Sequence, residues 1–241
     1  MLRGANRQEI FHDEEDNVRF LETLERYKKK SKIKVYGWCL MDNHVHLLIE
    51  EGKEELSVTM KRIGVSYAWF YNSKYKTTGH LFQDRYRSEN VESDAYLMTA
   101  IRYIHQNPVK AGIVKNPDSF KWSSCQGYYG KEYYPPYLLD STLILGVFSE
   151  DQKTGIKKFK EYNEMENQDK FIDDEVRKRL SDDEAREEIN KAIIGYKIAN
   201  IKSLPKSQRD EIVGRIKKIE GITQRQISRI IGMSLSLVNR A

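Results

Sequence analysis

The sequence predicts an α+β fold: an antiparallel sheet with helices packed on it, followed by an all-α C-terminal region that ends in a helix-turn-helix. Three observations carry this reading. Residues 33–50 alternate as two strands about the short turn Met41-Asp42-Asn43, and helical periodicity flanks that hairpin on both sides. Beyond residue 130 the chain reads as charged segments with apolar positions at helical spacing.

Taken in order, Phe20, Leu21, Leu24 and Tyr27 recur at helical spacing within Glu14–Lys30, and the lysine-rich end of that segment suits a helix C-terminus. Strands Ile33–Leu40 and His44–Glu50 follow as a hairpin. A second helix is expected over Leu56–Tyr75, with Val58, Ile63, Val65, Tyr67, Trp69 and Phe70 on its apolar face. Alternation from Asp84 to Val91 predicts a third strand, bearing Arg85 and Arg87. Ser93 is placed to cap a helix over Asp94–Gln106, which Pro108 should stop because the residue before a proline is pushed out of the helical region.

Composition narrows the class. The chain has 241 residues, 32% of them charged, and lacks both a membrane-length apolar run and a secretory leader pattern. Two cysteines, Cys39 and Cys125, are too few for a disulfide framework or a zinc-thiolate cluster, which places the protein in a reducing cytoplasm. Charge is uneven along the chain. Residues 1–130 carry 20 Lys and Arg against 17 Asp and Glu, residues 131–201 carry 12 against 16, and residues 202–241 carry 9 against 3. A basic terminal segment of this kind points to a polyanion, or else to a lysine-rich solvated helix face.

The residues with most chemical content are His44 and His46 in MDNHVHLLIE. In a strand they share one face, about 7 Å apart along it, while Val45, Leu47 and Ile49 take the other. One cation can bridge such a pair; two half-exposed polar positions would give the same pattern. On the helix after Ser93, Tyr103 and Asn107 lie four residues apart and so on one face. A phenol and an amide can thereby meet at one point, although a tyrosine packed on the sheet fits the spacing equally.

The blocks RGANRQEIF, MDNHVHLLIE, GHLFQDRYRS and YLMTAIRYIHQNPVKAGIV, ending in Trp122-Ser123-Ser124, resemble the single-tyrosine HUH transposases, in particular the REP-associated tyrosine transposases, over roughly residues 3–130. The resemblance implies a ferredoxin-like nuclease core in which His44 and His46 hold Mg²⁺ or Mn²⁺ with Asn107 as third ligand or orienting group. It implies Tyr103 as the nucleophile that cleaves and rejoins single-stranded, hairpin-flanked DNA through a 5′-phosphotyrosine. Arg85, Arg87, Arg102 and Lys110 lie near these motifs in sequence and are the candidates for phosphate contacts. Members of the family usually carry a Tyr-His-Val strand before the RG-NR block, of which this chain, starting Met1-Leu2-Arg3-Gly4, holds little. Some relatives also place Gln at the position of Asn107.

The expected division is a catalytic domain over 1–130, a helical linker and docking region over 131–201, with helices near Ser149–Asn167 and Asp173–Asn200, and a helix-turn-helix module over 202–241. In the last, Ile227, Ile230, Ile231, Leu235 and Val238 would form a small core about Gly232, with Arg225, Ser234, Ser236 and Arg240 facing duplex DNA. The other reading of the chain is a non-catalytic, domesticated relative that binds hairpin DNA or regulates transcription; RNA binding has only the basic-aromatic interleaving around Tyr86 behind it. Monomer and homodimer both occur among relatives, and monomer is the expectation here.

Overall fold

The computed structural model describes residues 1–167, 169, 180–219 and 221–240, which gather into two compact units, Met1–Ile172 and Asp173–Ala241. Strands β1 (Leu2–Arg3), β2 (Lys34–Met41) and β3 (His44–Glu50) form an antiparallel sheet in the order β1-β3-β2. Between β1 and β2 runs α1 (Glu14–Ser31), started by the Asp13 side chain, which accepts from the Asp16 N–H. Helix α2 (Leu56–Tyr75) has the predicted bounds. The helix begun by Ser93, α3 (Asp94–Lys110), runs four residues past the predicted end. Pro108 removes one helical donor, yet Ala111 N–H still bonds Asn107 C=O and Ile113 N–H bonds Pro108 C=O, so the last turn closes around the proline.

The expected strand over Asp84–Val91 is not formed. Residues 81–87 instead run beside β1 as an irregular lane, with Gln83 N–H donating to Arg3 C=O, Arg87 N–H to Met1 C=O, and an isolated bridge from Gly4 to Phe82. Two of the residues that alternate, Arg85 and Arg87, are exposed, so burial gives this segment no second face to regularise it. The order is β-α-β-β-α, and the irregular lane takes the place that the last strand of a β-α-β-β-α-β unit would fill. On the opposite edge Trp122–Ser124 lies along β2: Leu40 N–H donates to Trp122 C=O and Ser124 N–H to Trp38 C=O.

Sheet alternation sorts the core into two layers. Leu2, Val35, Trp38, Leu40 and Val45 meet α1 and α2 through Phe20, Leu24, Ile63 and Tyr67. Tyr36, Cys39, Met41 and Leu48 meet α3 through Met98, Ile101 and Ile104. A bulge between Val35 and Gly37 puts Tyr36 and Gly37 on this second face together. Short α4 (Cys125–Tyr128), α5 (Thr142–Phe148) and α6 (Gln152–Glu164) then add Tyr128, Ile144 and Phe159 to the layer on α3.

The second unit is helical: α7 (Asp182–Ala192), α8 (Lys206–Lys217), α9 (Gln224–Ile231) and α10 (Leu235–Arg240), around Ile189, Val213, Ile216, Ile227 and Val238. Where a helix is predicted over Asp173–Asn200, the described residues form α7 and, from Ile198, the start of a 3-10 helix that runs to Ser203, while 173–179 lie outside the described residues. Gly232, in the left-handed region at φ 68°, makes the sharp turn between α9 and α10. Among the described residues no helix is long and apolar enough to cross a membrane.

Candidate active site

Val45, Leu47 and Ile49 pack on the α1 and α2 side, so His44 and His46 point from β3 toward α3. Their rings stand nearly perpendicular, centroids 4.9 Å apart. From α3 the Tyr103 ring comes edge-on to His46 at 5.6 Å and is 4% exposed. One turn on, Asn107 donates from Nδ2 to the Tyr103 carbonyl at 3.2 Å, and Lys110 Nζ lies 5.0 Å from the Tyr103 ring centroid.

Close fit between α3 and the sheet sets this geometry. A Cβ at Gly37 would stand 2.3 Å from Ile101 Cδ1, so any other residue there would displace the tip of that buried side chain. His105, two residues on from Tyr103 and so on another side of α3, faces the sheet: its Nε2 is hydrogen-bonded to Ser124 Oγ at 2.8 Å, and that oxygen also accepts from Trp38 N–H at 3.0 Å. Burial pulls the His105 imidazole down to about 3, and it is neutral at any working pH. The Trp122-Ser123-Ser124 motif thus ties the tyrosine helix to the sheet edge.

The loop from Gly4 to Ile10 wraps the β2–β3 turn. Gly4 N–H donates to Asn43 C=O and Ile10 N–H to Asp42 C=O, with Asn6 and Arg7 in the left-handed region at φ 52° and 61°. Asn43 Nδ2 donates to Arg7 C=O at 3.3 Å, and its Oδ1 lies 2.6 Å from His44 Nδ1. Two residues unmarked in the sequence therefore join the site, Asn43 by this contact and Arg3 by register. Arg3 pairs directly opposite His44 while Leu2 pairs with Val45, which puts the guanidinium on the histidine face. Their one signal was membership of the RGANRQEIF and MDNHVHLLIE blocks.

His44, His46, Tyr103, Asn107 and Lys110 are brought together; the other expected DNA contacts are dispersed. Arg102 binds both carboxylate oxygens of Asp169 and stacks over Tyr162 at 4.3 Å, and Lys110 also donates to Asp169 C=O. Arg85 and Arg87 are exposed on the lane beside β1. In the second unit Arg225, Ser234, Ser236 and Arg240 are all exposed on α9, the turn and α10.

A divalent cation suits the donor set. Two imidazoles on one face at this separation can share an ion at roughly 2.1 Å from each nitrogen. Among the described residues no third His, Cys, Asp or Glu completes the pair, so an amide oxygen, water or a phosphate must supply the rest.

These blocks carry a family signature. Residues 1–107 match the family model of IS200-like transposases. The IS200-like segment includes β1 to β3, α1, α2 and α3 as far as Asn107, and so all four of His44, His46, Tyr103 and Asn107. A solved structure of a REP-associated tyrosine transposase bound to a REP hairpin is similar at 18% identity, with a TM-score of 0.47, covering 58% of this chain and 84% of that one. No curated protein matches the chain at a significant level.

Proposed function

We propose that the first unit cleaves and rejoins single-stranded DNA, with Tyr103 as nucleophile and His44 and His46 as ligands of Mg²⁺ or Mn²⁺. The observation that carries this is the approach of the Tyr103 ring to His46, 5.6 Å between centroids, on the sheet face that holds both histidines. Membership of the tyrosine helix in the IS200-like segment supports it.

In the proposed step Tyr103 Oη attacks the phosphorus of a DNA linkage, the bond to the 3′-oxygen breaks, and that oxygen takes up a proton while the phenol loses one. A 5′-phosphotyrosine and a free 3′-OH result, and attack by a 3′-OH reverses the exchange. A phenol leaves more readily than an alkyl alcohol, so the linkage stays competent for rejoining. When bound, the divalent cation supplies neutralisation of charge on the phosphoryl oxygens. Asn107 would orient the linkage through its amide oxygen, its nitrogen being held by the Tyr103 carbonyl. Arg3 and Lys110 would add fixed positive charge beside it. The exposed Arg225, Ser234, Ser236 and Arg240 would bind duplex DNA.

The test is incubation of the protein with labelled single-stranded hairpin oligonucleotides and Mn²⁺ on a denaturing gel, beside Tyr103→Phe. A DNA-linked protein band absent from the variant is the expected result. Binding without a covalent product across a broad hairpin library would favour the second reading, a hairpin-binding protein that does not cut, which has the 4% exposure of Tyr103 in its favour.

A further inference from the structure

We infer that Asn43 is a positioning residue that fixes the tautomer of His44 and turns its Nε2 toward the metal position. Asn43 Nδ2 donates to the Arg7 carbonyl, which can only accept, so the amide oxygen must be the atom facing His44. That oxygen lies 2.6 Å from His44 Nδ1 and can only accept in turn. The proton of a neutral imidazole is therefore on Nδ1, and the ligand lone pair is on Nε2. Arg7 presents its carbonyl because Asn6 and Arg7 both take left-handed backbone, and the Gly4 and Ile10 N–H groups pin the loop to Asn43 and Asp42. The strained loop before α1 thus has a purpose at a distance: it orients an amide that orients a ligand.

The ligand role of His44 rests on the function proposed above, whereas the tautomer does not, and the experiment separates the two. The metal-free full-length chain, labelled with ¹⁵N at histidine, is studied by long-range proton-nitrogen NMR, and Mn²⁺ binding is followed by electron paramagnetic resonance. In the wild type His44 carries its proton on Nδ1. Asn43→Ala shifts the proton toward Nε2 and weakens Mn²⁺ binding about tenfold. Asn43→Asp, which keeps an acceptor next to Nδ1, retains the wild-type tautomer and most of the affinity. A wild-type proton on Nε2, or an Asn43→Ala chain with unchanged tautomer and Mn²⁺ affinity, overturns the inference. Should Asn43→Ala fail to fold, the wild-type spectrum alone decides. A wild type with the expected tautomer and no Mn²⁺ binding would uphold the role of Asn43 and remove the metal from the proposed function.

Discussion

Arg3 and His44 occupy opposed positions on neighbouring strands, which leaves a permanent cation beside the histidine pair. If the first unit cleaves DNA as proposed, a guanidinium there would act on charge that grows as the phosphodiester is attacked, so it should matter more to the chemical step than to binding. Arg3→Gln is expected to slow single-turnover cleavage by about a hundredfold while hairpin affinity falls only a few-fold, and Arg3→Lys to recover part of the rate. Equal losses in rate and affinity, measured by quench kinetics and filter binding, would reduce Arg3 to a general DNA contact. The histidine pair was legible in the sequence because strand period alone decides which side chains share a face. Arg3 was not, since a two-residue strand has no periodicity and its partner is 41 positions away in the chain. Asn43 was hidden for another reason: its role depends on a carbonyl, and carbonyls carry no residue identity.

Helix α3 carries the tyrosine and depends on the β2 bulge for its distance from the sheet. Gly37→Ala puts a methyl against Ile101 Cδ1, and overpacking of this kind costs about 1–3 kcal/mol, which a lowered urea midpoint would register. If the helix rather than the Ile101 tip gives way, Tyr103 moves from His46 and cleavage should fall further than the stability loss accounts for. At the start of α1, the Lys74 ammonium bonded to Asp13, together with the Asp16 N–H, holds the Asp13 carboxyl below its ordinary value. The fold therefore favours the ionised form. Its contribution is in place above the unfolded carboxylate range of about 3.9 and is lost as pH falls through the lower folded value. Asp13→Asn should flatten the decline of the urea midpoint between about pH 5 and 3. The starts of α1 and α3 were legible in the sequence, the first from helical periodicity beginning at Glu14 and the second because Ser93 caps locally through its side chain. The stop at Pro108 and the strand at 84–91 were misread because both are settled by partners elsewhere, the backbone past 110 in one case and β1 in the other.

The whole molecule divides at 172/173 into a sheet-bearing unit and a helical one. If the second unit binds duplex DNA through its exposed polar residues, Arg225→Gln and Arg240→Gln should each lower the slope of log affinity against log salt by about one, in titrations with unrelated duplexes. An unchanged slope would mean that the basic balance of this segment is only a solvated face. In the first unit, the bonds that flank the sheet join residues very far apart in sequence: Met1 with Arg87 on one side, Leu40 with Trp122 on the other. A growing polypeptide emerging from the ribosome therefore makes the β2–β3 hairpin long before either flank is capped, and for some 80 residues of synthesis β2 presents bare amide and carbonyl groups. Bare edges of that sort recruit other chains. The nascent protein is thus most vulnerable to aggregation before Trp122–Ser124 has been translated, and slow codons or chaperone occupancy over that interval would govern its yield more than the stability of the finished fold.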